Sequence, residues 1–406
     1  MAGAIAASPG GRLRAIKGQR LGVRSPPIEQ RTATVIAGGD GGRVRIVVKL
    51  GSSLLARPDG LLDRAFIARI ARSVAGLRAE GHVALLVSSG AVAAGRGLLP
   101  DVTARLDIPS RQMLAAVGQP RLMQAYDRSF ARHGLVVAQA LLTQGDVASR
   151  GGYLSARTTL LALWEGGIVP IVNENDVVAD DELRFGDNDR LSAVVAALVD
   201  ADLLLLLSDV AGLYNADPRH DPSARPIPRV ERIDDAILAL ARPSSSGLGT
   251  GGMVTKLGAA RLAAAAGVTT IIAAGRARDV VRRAVAGEGV GTRFVAGQRV
   301  QARQRWLRAR LGAKGALVVD DGAAAALERG GHSLLPAGVR EVRGAFRRGD
   351  PVDVLRLDGR ALAHGLVNYD AADLTPLCGR RSSEIAAMLG YHYGDEVIHR
   401  NNLVLL

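Results

Sequence analysis

Four short segments hold the residue types that handle phosphate and carboxylate groups. The first is Val48-Lys49-Leu50-Gly51-Ser52-Ser53, an apolar run ending in lysine, glycine and serine. Glycine lets the backbone approach a phosphate, successive N–H groups can point at it, and lysine adds a full positive charge. An ordinary strand-to-helix turn has the same composition, so this segment alone decides little. The second, Thr250-Gly251-Gly252-Met253-Val254-Thr255-Lys256, closes a stretch of Ser, Gly and Thr and feeds a helical pattern over 253–266. A polar loop entering a helix N-terminus is a natural anion site, and the competing reading is a plain surface loop. The Gly-x-x-x-x-Gly-Lys-Ser/Thr spacing of the common P-loop does not occur there.

The third constellation is Asn173-Glu174-Asn175-Asp176, followed by Gly186-Asp187-Asn188-Asp189-Arg190-Leu191-Ser192. Carboxylates and carboxamides this dense can hold an ammonium group or a metal-bound phosphate, although the same residues are routine turn formers. Their spacing does not fit an EF-hand loop. The fourth, Ser208-Asp209-Val210-Ala211-Gly212-Leu213-Tyr214, follows five leucines and precedes Asp217-Pro218-Arg219. It can bracket a nucleotide, with Tyr214 beside the ring, or it is simply a turn.

Lysine usage singles out two of these segments. Of 52 basic Lys and Arg residues only Lys17, Lys49, Lys256 and Lys314 are lysines. A chain that uses arginine almost everywhere should keep lysine where a compact, movable point charge matters. Lys49 and Lys256 both sit in glycine-containing segments.

These residues need a scaffold to bring them together. Apolar runs at 46–48, 83–87, 135–138, 168–172, 203–207 and 268–273 alternate with helical patterns. One such pattern begins at Asp63, places Phe66, Ile67, Ile70, Val74 and Leu77 at helical spacing, and stops at Gly81. Strands without polar alternation, separated by helices, predict a mostly parallel sheet covered on both faces. Ligands in such sheets gather beyond the carboxyl ends of the strands, where Lys49, Ser89, Asn173 and Asp209 would lie. After residue 300 the runs shorten, at 316–319, 352–355, 361–367 and 403–406, which predicts a small β-rich domain over 303–406. Residues 43–297 form the larger domain in this reading. Residues 1–42, with Pro26-Pro27 and no sustained periodicity, read as a disordered extension.

Composition narrows the class. Net charge is +13, but residues 301–406 carry fifteen basic and twelve acidic groups, and no segment concentrates the rest. With aromatics at 3%, neither a phosphate-backbone track nor a base-stacking platform stands out. Cys378 is the single cysteine, so internal disulfides and thiolate clusters are excluded and a reducing cytoplasm is expected. The most apolar stretch, 193–207, contains Asp200 and Asp202 and falls short of a bilayer span, so no membrane partner is expected.

Taken together, these segments resemble the amino acid kinase superfamily, and within it the glutamate 5-kinase family. The resemblance rests on Val48–Ser53, Val87-Ser88-Ser89-Gly90-Ala91-Val92-Ala93-Ala94-Gly95, Asn173–Asp176, Phe185-Gly186-Asp187-Asn188-Asp189 and Gly249–Met253, in that order. The C-terminal part resembles the PUA domain through Arg380-Arg381-Ser382-Ser383-Glu384-Ile385 and the run Gly394–Val404. The resemblance implies an α/β three-layer α-β-α sandwich around a mostly parallel sheet, plus a small β-barrel-like domain. It implies ATP and Mg²⁺ as cofactors and L-glutamate as acceptor. Lys49 and Lys256 would contact the nucleotide phosphates, with Asp189 holding both lysines. Ser89, Asn173, Asp176 and Asn188 would bind glutamate. Ser208, Asp209, Thr250, Gly251, Gly252, Met253, Val254 and Thr255 would join the lysines in binding ATP, and no residue is assigned as a metal ligand. The resemblance also implies homo-oligomers, proline as a feedback inhibitor and RNA contact through the PUA domain. The alternatives are a sister kinase acting on acetylglutamate, aspartate, carbamate or UMP, or an RNA-binding protein built on a degenerate kinase scaffold.

Overall fold

A computed structural model describes residues 42–99, 102, 107–178, 188–218, 220–241, 252–296, 313–330 and 332–406. The expected extension, all but Gly42, lies outside these residues, as does the segment 297–312 that holds the expected domain boundary.

The first part of the chain runs β1 (Arg45–Leu50), α1 (Ser52–Leu55), α2 (Arg64–Ala79), β2 (Val83–Ser88), α3 (Ala91–Arg96), α4 (Ile108–Ala131), β3 (Val137–Leu142), α5 (Gln144–Ala148), α6 (Arg150–Glu165) and β4 (Val169–Glu174). It continues with α7 (Asn188–Leu198), β5 (Leu203–Ser208), β6 (Arg229–Val230), α8 (Asp235–Ala239), α9 (Met253–Ala265), β7 (Thr269–Ala274), α10 (Val280–Val285) and β8 (Thr292–Phe294). The eight strands form one sheet in the order β3-β4-β2-β1-β5-β7-β8-β6. Every pairing is parallel except β7 with β8.

The period-two geometry of a strand sends alternate side chains to opposite faces, and both faces are dry here. Ile46, Val48 and Leu50 of β1 join Leu203, Leu205 and Leu207 of β5 in a core with α2, α4 and α10. Val47, Leu204 and Leu206 enter a second core against α6, α7 and α9. This is the expected three-layer sandwich. The helices begin at polar caps: Asp63 accepts from Phe66 N at 2.9 Å and Asp107 from Ser110 N at 3.0 Å. Such a cap contributes about 1 kcal/mol.

Tertiary contacts shift some boundaries. The strand expected at 135–138 begins at Val137 and extends to Leu142. Strands β6 and β8, of two and three residues, are too short to carry a period-two signal and were not anticipated. Helices α3 and α4 meet backbone to backbone at Gly95 and Gly118. An added Cβ on Gly118 would lie 1.8 Å from the Ala91 carbonyl oxygen, so no other residue fits there without movement.

The C-terminal part forms a separate five-stranded sheet, β10-β9-β11-β12-β13, from β9 (Gly315–Val319), β10 (Val339–Gly344), β11 (Pro351–Leu355), β12 (Ala361–Leu366) and β13 (Leu403–Leu405). Its own core holds Leu317, Val319, Val352, Val354, Phe346, Tyr369 and Ile398. Strand β10 reads as a polar loop in the sequence because Arg340, Glu341 and Arg343 lie exposed along an edge strand. No described helix is long and apolar enough to cross a membrane.

Candidate active site

Lys49 is the fifth residue of β1, and its side chain points to the face covered by α7 and α9. There it meets Asp189, in the first turn of α7, at 2.6 Å from Oδ1. Lys256, in the first turn of α9, reaches the other oxygen of the same carboxylate at 3.1 Å. Thr255 Oγ1 donates to that oxygen at 3.0 Å and also bonds the Gly252 carbonyl at 2.9 Å, tying the carboxylate to the helix start. Lys49 and Lys256 are 4% and 5% exposed and Asp189 is fully buried. Burying charge is costly unless each group is paired. Two ammonium groups sharing one carboxylate leave this trio one positive charge in excess, which favours an anion beside it.

A second cluster of hydrogen bonds adjoins through the neighbouring residue. Asn188 Nδ2 donates to Ser89 Oγ at 2.8 Å, to Asn173 Oδ1 at 3.1 Å and to the Ser88 carbonyl at 3.2 Å. Asn173, the fifth residue of β4, donates in turn to Gln119 Oε1 at 3.0 Å. Gln119 Nε2 and Asn188 Oδ1 are buried and have no hydrogen-bond partner among the described residues. One donor and one acceptor are therefore left over beside Asn173. Asp176 stands half-buried on the turn after β4. Ser89 begins the turn into α3, where Gly90 adopts a φ of 102°, a left-handed conformation that favours glycine.

On the other flank, Ser208 ends β5. Its Oγ accepts from Val210 N at 3.2 Å and donates to Asp209 Oδ1 at 3.2 Å, leaving the Asp209 side chain exposed. The backbone of Gly275, just past β7, donates to the Ser208 carbonyl at 2.8 Å, fixing the ends of two adjacent strands. Gly252 caps α9, Met253 is half-buried and Val254 is 51% exposed. Thr250 and Gly251, expected beside them, and Gly186-Asp187 lie outside the described residues. Tyr214 is half-buried and bridges to Pro226.

The sequence reading missed Gln119, Ser88 and Tyr126. Tyr126 on α4 shares a 2.7 Å hydrogen bond with Ser88 Oγ at the end of β2, and burial pushes its phenol well above the ordinary range. The available signal was Gln119-Pro120, a proline inside the 24-residue α4. Such a proline removes one helical hydrogen bond and marks a special position.

Residues 44–274 match the amino acid kinase family and residues 315–389 the PUA domain. The chain belongs to the amino acid kinase family. Within it, the chain is 50% identical over 366 residues to the glutamate 5-kinase of Dehalococcoides mccartyi strain CBDB1, covering 89% of this chain and 98% of the relative. Similarity is as high to the glutamate 5-kinases of Shewanella amazonensis, 50% over 368 residues, and of Thermus thermophilus, 50% over 361. These cover 89% of this chain in both cases and 96% and 97% of the relatives.

Proposed function

We propose that this chain transfers the γ-phosphoryl group of ATP to the side-chain carboxylate of L-glutamate, giving L-glutamyl 5-phosphate, the first step of proline synthesis. The observation that carries the reading is the buried Lys49–Asp189–Lys256 trio, joined through Asn188 to a cluster of amides and hydroxyls. Relatives of half-identical sequence named glutamate 5-kinase supply the substrate.

The chemistry suits these residues. The glutamate γ-carboxylate is ionised at neutral pH and serves as nucleophile with no general base. One of its oxygens bonds to the γ-phosphorus while the bond to the bridging oxygen breaks and ADP leaves. Such a transfer is helped chiefly by alignment and by cations placed at the equatorial oxygens. Lys49 and Lys256 supply that charge, and Asp189 holds them at a fixed separation. Asn188, Asn173 and Ser89 orient the acceptor, with the spare Gln119 amine and Asn188 carbonyl offering one partner for a carboxylate and one for an ammonium group. Asp176 takes the α-ammonium group. Ser208, Asp209 and the segment Thr250–Lys256 hold ATP. Mg²⁺ would add charge neutralisation on the phosphates. Asp189 is fully buried between two lysines, so the metal would rest on phosphate oxygens and water, beside the exposed Asp209.

Proline carries an α-carboxylate and a cationic amine and would compete for the Asp176 side of this site. Self-association is favoured by the half-exposed edge strand β3 and by the exposed Met113, Val117 and Val136 nearby in sequence. RNA contact through the PUA domain is favoured by Tyr391 and Tyr393, which are partly exposed with ring centroids 5.0 Å apart. A cytoplasmic setting follows from the single cysteine and from both substrates being cytoplasmic metabolites.

The test is an ADP-release assay with glutamate, aspartate, N-acetylglutamate and UMP. Turnover is expected with glutamate and little with N-acetylglutamate, whose amide has no charge for Asp176 to bind. Comparable kcat/KM for those two would overturn the substrate assignment.

A further inference from the structure

Away from the catalytic trio, a groove of about 720 Å³ runs beside α2 and α10. Its lining includes Arg69, Arg72, Arg276, Arg278, Arg282 and His133, against a single carboxylate, Asp279. An adjoining hollow of about 700 Å³ shares Arg278, Asp279 and Arg282.

The nearby acids are already engaged. Asp63 binds Arg276 at 3.0 Å and caps α2, Glu80 pairs with Arg282, and Asp279 lies 3.5 Å from Arg278. The side chains of Arg69 and Arg72 form no hydrogen bond or ion pair among the described residues. Arg69 instead lies over the Phe66 ring, 5.1 Å from its centroid, and one of its terminal nitrogens is buried without a partner. Arginines elsewhere on this surface pair with an acid close by, as in Arg229–Glu231 at 2.5 Å and Arg343–Glu341 at 2.8 Å. The concentration of guanidinium groups with spare donors in one concave site is therefore specific to this groove.

Planar guanidinium forks match the oxygens of carboxylates and phosphates. The volume is that of a small-molecule site. Phe66, the ring beneath the arginines, is itself buried, so the groove offers charge and no open stacking surface. We propose that this groove binds a small molecule bearing two or more phosphate or carboxylate groups, at a site separate from the kinase centre.

Calorimetric titration of the full chain, saturated with glutamate and a non-hydrolysable ATP analogue under excess Mg²⁺, tests this with tripolyphosphate in one arm and citrate in the other. At least one of the two anions should bind once per chain, and the tighter one identifies the class. Arg69→Gln/Arg72→Gln should weaken that binding at least about tenfold, the loss of roughly one charge-assisted contact. Arg229→Gln/Arg343→Gln removes the same two charges elsewhere and should leave it unchanged. Absence of binding by either anion to the saturated protein would overturn the proposal, as would equal weakening in both double variants. Should the first double variant melt lower than the parent, Arg72→Gln alone, at an exposed position, gives the same reading.

Discussion

The eight-stranded sheet and its helices bury Lys49, Arg157, Asp189 and Lys256 among apolar side chains, whereas the buried polar residues of the C-terminal part are Asn368 and Asn402 among those described. Charged groups of the smaller sheet pair instead at its rim, as in Arg340–Asp320 at 2.9 Å and His364–Asp353 at 2.5 Å. Arg157 is structural: it bonds the Leu198 carbonyl and Asp200 and so fastens α6 to the end of α7. The trio has no such fastening duty that an apolar contact could not perform more cheaply. Exchanging a buried ion pair for well-packed hydrophobic residues is often neutral or stabilising, so charge kept in a core points to function or specificity. The contrast separates a region built for chemistry from one built for folding and contact.

The strongest challenge to that contrast is Asp189→Asn. It leaves two buried ammonium groups without their shared carboxylate, and breaking such a pair costs about 3–5 kcal/mol. Denaturant unfolding should show that loss, and turnover should fall below detection. A variant of parental stability would mean that the trio is more hydrated than its burial implies.

Lys49→Arg and Lys256→Arg keep the charge but not its shape. Each should lower kcat about 10²–10³-fold, the typical effect of losing one electrostatic contact to a transition state. Lys314→Arg, exposed before β9, should be nearly silent. Equal mild effects at all three positions would reduce the scarcity of lysine to composition.

Ending the chain near Gly297 should retain most kinase activity, because every residue assigned to chemistry precedes it. The known contact to be lost is the 2.8 Å hydrogen bond from Arg348 to Ser155 on α6. A truncated protein that is folded by circular dichroism yet inert would show that the smaller sheet serves the reaction too.

Glu396 gives the smallest effect. Burial, helped by Asp395 and Glu165, raises its pKa above the ordinary carboxylate value. The fold therefore prefers the protonated form. That contribution is fully present below the unfolded-state pKa and is lost as pH rises through the folded value. Glu396→Gln should raise Tm slightly at pH 7 and leave it unchanged near pH 4. The reverse order would place Glu396 in a favourable ion pair.

The uninterrupted apolar runs of β1, β2, β4, β5 and β7 were enough to predict a parallel sheet, because strands dry on both faces need no alternation. The glycine and lysine chemistry of Val48–Ser53 and Gly252–Lys256 likewise marked the strand and helix ends that face one another. The sequence by itself determined which residue types stand at those ends. It could not determine that Gln119 and Tyr126, far along α4, close on Asn173 and Ser88, since that contact depends on Gly95 and Gly118 letting two helices meet at their backbones. Nor could it show that Arg69 and Arg72, two members of a helical charge pattern, lack acids of their own. Local pattern fixes which way a side chain faces on its own element, but distances between elements are set by how the whole core packs. Only that packing brings Lys49 and Lys256, 207 positions apart in the chain, to the two oxygens of one carboxylate.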